Sequence, residues 1–528
     1  MMEDLCRKLP LIKEIIFEEL NDQSCVTFKN ASRVISNNLK NERFYWIRVL
    51  RSHNFVQGNF KDYWAKVVKR NRPEFVKQIV VLTEQFCKSK HFTELTSFSP
   101  HDIAAYSGNL DFYKHFVDRT LDLNPKEPRS EYTPLHFAAC YGRLEVCEFI
   151  ISHLQDKNPK NKFGVTPLHL AANCFGYLEI CKLIIKNIQD KNPRNIHGET
   201  PLHLAAERGH MDIFLLISEH VQEINLEGKN GDTPLYLAAK HGHLDICELI
   251  TANVQDKNPG NNDGDTPLHL AALLGHMNIC KLIIKDIQVK NPGNNIGETP
   301  LHLAAEHGHL DICKLIITNV QSKNPKDNIG ETPLHLATEQ GHLDICKLII
   351  ANVQNISPGN TFGDTPLHLA AEHGHLEICK LIITNVQNIN PGNNNGETPL
   401  HQAAENGHLD ICKLFIGKVK DKNPGDNNNH TPLHLAAAGS HLEICQLMIV
   451  NVHDKNPEDN FGRTPLHLAA EWGYLDVYKL IVKTQQEKNP RNDDGLTPLD
   501  LATKKGRLNI CKFIIESAEK NHGQTLLE

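Results

Sequence analysis

The sequence predicts an all-α solenoid of about thirteen helix–turn–helix units, headed by a smaller helical segment. Three observations predict it. A phrase opening on Thr-Pro starts at Thr133 and returns through Thr299 to Thr497, in steps of 33 residues with a single step of 34. A fixed period of that size marks stacked copies of one supersecondary unit. Glycines recur at two fixed offsets in most copies, where a helix or a turn must end. Between them the apolar residues fall at helical spacing rather than in alternation.

The copy Thr299 to Glu331 shows why each element forms. Thr299 is a good N-cap, since its hydroxyl can accept from a free helix N–H. Pro300 suits the first helical position, where its missing N–H is not needed. The spacing predicts a short helix to Glu306, ended by Gly308 in the left-handed conformation. A second helix starts near His309. Its Leu310, Cys313, Ile317 and Val320 share one face, widened by Ile312, Leu315 and Ile316, with Asp311, Lys314 and Thr318 opposite, in water. Lys323-Asn324-Pro325 and the run to Gly330 break the helix into a turn or finger. The many β-branched residues make a poor isolated helix, so neighbours must hold it.

One such unit cannot cover both faces of its helix pair, whereas stacked copies bury each other. The phrases T-P-L-H-L-A-A and G-H-L-D-I-C, with the Gly two residues before all but two of the Thr, resemble the ankyrin repeat from residue 99 to 528. The resemblance implies an ankyrin-repeat array with a degenerate first repeat, Ser99-Pro100-His101-Asp102, and a last repeat that acts as a cap, with Asp500 in the histidine slot. Lys-Asn-Pro in the finger departs from the family's usual apolar-Asn-Ala. Three places interrupt the rhythm: Asn173-Cys174-Phe175 carries the extra residue, Ile224 to Glu227 replaces Lys-Asn-Pro, and Gly439-Ser440 moves a helix-ending glycine one position early.

The head is different. Leu9-Pro10 opens an amphipathic run through Ile15, Ile16 and Phe17 to Leu20, a turn follows at 21–24, a second short helix spans Cys25 to Val34, and Trp46-x-x-x-Leu50 comes after a polar break. This resembles an F-box, although Ile35 and Asn38 stand where that family has Cys and Trp. The expected domains are therefore 1–52 F-box-like, 53–98 a helical linker or N-terminal cap, and 99–528 the array. The resemblance implies that Leu9, Pro10, Ile15, Phe17 and Leu20 would meet a Skp-type adaptor of a cullin–RING ubiquitin ligase. The alternative is a helical cap on the solenoid, with no ubiquitin role.

Composition narrows the function. Residues 1–98 hold 17 Lys+Arg against 11 Asp+Glu, and the remainder 39 against 52, so a basic head joins an acidic array. Neither balance suggests nucleic acid. No apolar run reaches the roughly 20 residues of a membrane span, and the N-terminus has no apolar core of a secretory signal. Fifteen cysteines, ten of them in one slot of the second helix, argue for buried thiols in a reducing compartment rather than a disulfide framework. The expected location is cytoplasmic, with the nucleus as the alternative.

Thirty-one histidines invite a metal or catalytic reading. Ten follow Thr-Pro-Leu, from His136 to His467, and others follow the Gly of the helix junction. A catalytic site needs one constellation, not a copy per repeat. In ankyrin repeats the first set ties Thr and backbone groups of neighbouring units. His302, His309 and Cys313 have some zinc-like spacing but lack a fourth converging ligand. No phosphate loop, dinucleotide fingerprint, H-E-x-x-H or nucleophile elbow occurs. The sequence predicts no catalytic residue, no cofactor and no metal.

Binding is expected in the slots that vary between copies. In ankyrin folds the finger tip and the exposed side of the first helix line the concave surface. The slot before each Thr holds carboxylates in seven consecutive units, Glu199, Asp232, Asp265, Glu298, Glu331, Asp364 and Glu397, with Glu207, Glu306, Glu339, Glu372 and Glu405 on the first helix. A negative groove selects a basic protein partner. The alternative is that these acids serve the helix dipole, worth about 0.3–1 kcal/mol each. Tyr141, Phe175, Leu273, Leu274 and Trp472 replace polar residues in first-helix slots and are candidate contact hot spots. The lysines from Lys281 to Lys413 on the opposite stripe are read as a solvated face.

Overall fold

The computed structural model describes residues 100–524 apart from 109, 121, 175, 176 and 486–488. The expected head, 1–52 and 53–98, lies outside the described residues, as do Leu9, Pro10, Ile15, Phe17, Leu20 and Phe175. The described residues form thirteen helix pairs and no strand, from Pro100–Ser107 with Leu110–Thr120 to Pro498–Lys504 with Leu508–Gln524. They fall into two compact units. One takes the chain to Ile196 with Leu215–His220, and the other takes His197–Phe214 with Val221 onward.

In the second unit the helix pair of one copy is Pro300–Glu306 and Leu310–Asn319, as the punctuation predicts. Val320 does not extend the helix; it is the extended residue that closes it. Ile312, Cys313, Ile316 and Ile317 are buried together with Leu301, Ala304 and Ala305 of the first helix. The small alanines let first helices stack closely, and the β-branched residues fill the layer behind them. Gly308 sits at φ 79°. A Cβ there would also run into the ring of His342 in the next repeat, so glycine is needed for both its conformation and its size.

Thr-Pro-Leu-His is a capping box with histidine in the reciprocal position. The Thr332 hydroxyl accepts from the His335 N–H, while the Thr332 N–H donates to His335 Nδ1 at 3.1 Å. A backbone N–H can only donate, so Nδ1 is bare and the proton sits on Nε2. That Nε2–H donates to the Asp364 carbonyl, 29 residues on, at 3.0 Å. The same forward tie runs from His269 to Glu298, His302 to Glu331, His368 to Glu397, His401 to His430 and His434 to Arg463. Burial pushes these imidazoles down, His335 and His434 to about 4, and so keeps them neutral.

The junction histidines, which sequence reasoning left without a role, reach the other way. His309 Nε2 meets the Leu273 carbonyl, 36 residues back, at 3.0 Å, and His342 meets that of Glu306 at 2.9 Å. Each covers an orphan carbonyl at the end of the previous repeat's first helix. The finger asparagine closes the set. Asn324 Oδ1 accepts from the Leu334 N–H at 3.0 Å, and Asn225 does the same for Leu235 at 2.8 Å. The run Ile224 to Glu227 therefore keeps the working residue of Lys-Asn-Pro. Ser440 takes the left-handed turn at φ 64° where other copies have Gly.

In the first unit His136 makes the same forward tie to Val165 at 3.0 Å, and burial pushes it to about 4. Arg143 replaces the junction histidine and donates to the Tyr106 carbonyl at 2.8 Å. The degenerate first repeat buries His101 against the rings of Tyr113 and Phe116.

Candidate protein-interaction surface

In the second unit the slot acids are half-buried. Their neighbours are largely other acids. Glu298 lies near Glu306, Asp327 and Asp265; Glu331 lies near Asp327, Glu339 and Glu306. Partial burial first, and these like charges next, push both carboxyls above the usual range. Glu405 is raised the same way, by partial burial and by Glu397 and Glu372. The finger acids and the first-helix acids thus converge into one negative field.

The finger holds these carboxylates in place. The Asn261 amide donates to Asp232 at 3.1 Å, Asn294 to Asp265 at 2.9 Å, and Asn393 to Asp364 at 2.8 Å. Each tie crosses from one finger to the next. A carboxylate has about four acceptor positions, so one amide does not saturate it. The acids therefore join repeats as well as present charge, a role that neither sequence reading foresaw. The ladder stops where the slot changes sign. His430 lies between Asp426 and Asp459, and Arg463 donates to Asp459 at 2.8 Å, so charge there is met internally.

The apolar candidates separate. Trp472 is 53% exposed and Leu274 46%, while Leu273 is half-buried. Tyr141, in the first unit, is half-buried with its ring 4.4 Å from that of Tyr106. Sequence reasoning places the finger tips on the binding surface but does not single out their apolar residues. Ile296, Ile329 and Phe362 occupy one slot of three consecutive copies and are 49–64% exposed. Each precedes a slot acid by two residues, so apolar and acidic side chains alternate along the fingers. Their periodic recurrence three residues before Thr299, Thr332 and Thr365 was the available signal.

The chemical alternatives find no assembled site. His302 is engaged with Thr299 and Glu331, His309 with Leu273, and Cys313 is buried in the helix layer. Among the described residues no group of three His, Cys, Asp or Glu is arranged to hold a metal. Lys314, Lys347, Lys380 and Lys413 pair with acids one turn away on the exposed stripe. Among the described residues no helix is long and apolar enough to cross a membrane.

Comparison with known families agrees with this geometry. The family model for ankyrin repeats (3 copies) matches in overlapping stretches from residues 66–161 and 101–195 through to 413–492 and 433–525. The first of these begins ahead of Ser99, where the repeats were expected to start. No curated protein matches the chain. With the matches covering most of its length and the copies from Thr133 to Thr497 built on the same capped helix pair, the chain belongs to the ankyrin-repeat family.

Proposed function

We propose that the chain is a substrate-recognition subunit of an F-box type, cullin–RING ubiquitin ligase, holding a basic segment of its substrate on the acidic fingers of the array. Ankyrin-repeat proteins are generally non-enzymatic protein-binding scaffolds. The observation that carries the binding half is the convergence of Asp265, Glu298 and Glu331 with first-helix acids. Like charges crowded together are relieved by a cationic partner. The exposed Ile296, Ile329 and Phe362 beside them favour a segment that alternates basic and apolar residues. The adaptor half rests on the Leu9-Pro10 to Leu20 motif. Location in the cytoplasm or nucleus is part of the same proposal.

Two experiments test the two halves. Reversal of Asp265, Glu298 and Glu331 to Lys should weaken the substrate and remove much of the salt dependence of binding; unchanged affinity overturns the acidic face. A Skp-type adaptor should be retained by the full-length protein and lost on Leu9→Ala with Phe17→Ala at equal helicity. No adaptor binding by either form leaves an ankyrin scaffold or inhibitor with a helical cap.

A further inference from the structure

We infer that Cys140 and Cys174 are a reactive thiol pair that oxidises to an intramolecular disulfide, a modification site joining two neighbouring repeats of the first unit. Cys140 ends the helix Pro134–Cys140, and Cys174 follows the helix Pro167–Asn173. Their sulphurs lie 3.3 Å apart. A disulfide needs about 2.05 Å, so the atoms must close by little more than 1 Å.

The pair lies beside the irregular step of the repeat. Cys140 takes the first-helix slot that holds Glu207, Glu306 and Glu339 in other copies. The corresponding slot one repeat later holds Asn173, and Cys174 follows it in the slot that Tyr141 fills in the repeat before. Four residues, rather than three, then separate the two helices of that repeat.

Accessibility sets the pair apart from the other cysteines of the same repeats. Cys140 and Cys174 are partly exposed, whereas Cys147 and Cys181 are fully buried. Burial pushes the thiol of Cys181 up to about 12, which removes its thiolate at neutral pH. A peroxide therefore meets the outer pair first. With hydrogen peroxide, one thiolate attacks an oxygen, the O–O bond breaks, and a sulfenic acid and one water result. The second sulphur then attacks the sulfenic sulphur, the S–O bond breaks, and a second water leaves. Two S–H bonds and one peroxide become one S–S bond and two waters. The new bond ties the ends of two first helices beside Tyr141.

The test uses the full-length protein, reduced, freed of reductant, and treated with equimolar hydrogen peroxide at low protein concentration. Remaining thiols are blocked with iodoacetamide and tryptic peptides mapped without reduction. The expected product is the peptide Ser130–Arg143 joined to Phe163–Lys182, lighter than the unmodified pair by two hydrogens. Fragmentation must assign the bond to Cys174 and not to Cys181 on the same peptide, and dithiothreitol must reverse it. Cys140→Ser and Cys174→Ser should each abolish the linked species. The inference is overturned if both thiols are recovered alkylated, if both advance separately to sulfinic acids, or if Cys140 is joined to a different cysteine.

Discussion

Acid should unfasten the array through the histidines that follow Thr-Pro-Leu. In His335, Nδ1 faces the Thr332 N–H and Nε2 faces the Asp364 carbonyl, so the ring is useful only when neutral. Burial first, and Lys326 nearby, lower its affinity for a proton, against the opposing pull of Asp327 and the Asp364 carbonyl. With a folded value of about 4 and an unfolded value of 6.5, the unfolded chain binds more protons between these limits. Stability is therefore complete above pH 6.5 and lost as pH falls toward 4. One pH unit below the unfolded value, at pH 5.5, the loss is about 1.4 kcal/mol per histidine. His136, His335 and His434 together then account for about 4 kcal/mol.

The assay is urea unfolding followed by circular dichroism at pH 7.5, 6.5 and 5.5, on the wild type and His335→Tyr. Tyrosine already fills this slot at Tyr236, where Thr233 still caps the helix at 3.2 Å. At pH 7.5 the variant should be weaker by about 1–3 kcal/mol, for the lost acceptor and donor. Between pH 7.5 and 5.5 it should lose about 1.4 kcal/mol less than the wild type. Glu298 and Glu331, held above their usual range, act in the opposite sense as pH falls, and comparing the two proteins cancels them. Equal losses in both proteins would refute a neutral, buried His335.

Three further outcomes are expected. Ser440→Gly should stabilise its repeat by about 1 kcal/mol, because a left-handed φ of 64° strains any residue with a Cβ; an unchanged urea midpoint contradicts this. Asn291→Ala removes an acceptor for the Leu301 N–H at 3.0 Å and a donor to the Thr299 hydroxyl at 2.8 Å. It should cost about 1–2 kcal/mol and speed local hydrogen exchange in the helix Pro300–Glu306, whereas uniform exchange rates would argue against a local cap. Lys314→Ala should change stability by less than about 0.5 kcal/mol, since its pairing with Asp311 is exposed; a larger loss in a melting experiment would give that stripe a structural role.

What the sequence made legible was whatever one copy settles alone. Thr299 and Pro300 open a helix, Gly308 ends it, and Ile312, Cys313, Ile316 and Ile317 face inward; all of this follows from spacing and local chemistry. What stayed hidden needs two copies laid side by side. The His309 partner is 36 residues back, the Asp265 partner is an asparagine in the next finger, and Cys140 meets a cysteine 34 residues on. A periodic sequence shows that neighbours stack but not at which height their side chains pass. The apolar residues of the finger tips stay hidden for another reason: an isolated isoleucine in a polar loop carries little signal, and only its recurrence at Ile296 and Ile329 gives it meaning.

The forward histidine ties end on main-chain carbonyls, not on side chains. Val165, Glu298, Asp364, His430, Arg463 and Leu496 all serve as acceptors, with apolar, acidic and basic side chains alike. The joint is thus indifferent to the residue that supplies it. Any amino acid can occupy the slot before Thr without loosening the histidine fastening beneath it, so surface chemistry can be rewritten one repeat at a time at the cost of the asparagine–carboxylate tie alone. Loss or duplication of a whole copy would likewise leave donors and acceptors matched. In such an architecture, change of partner and retention of fold are separate problems, solved by different atoms of the same residue.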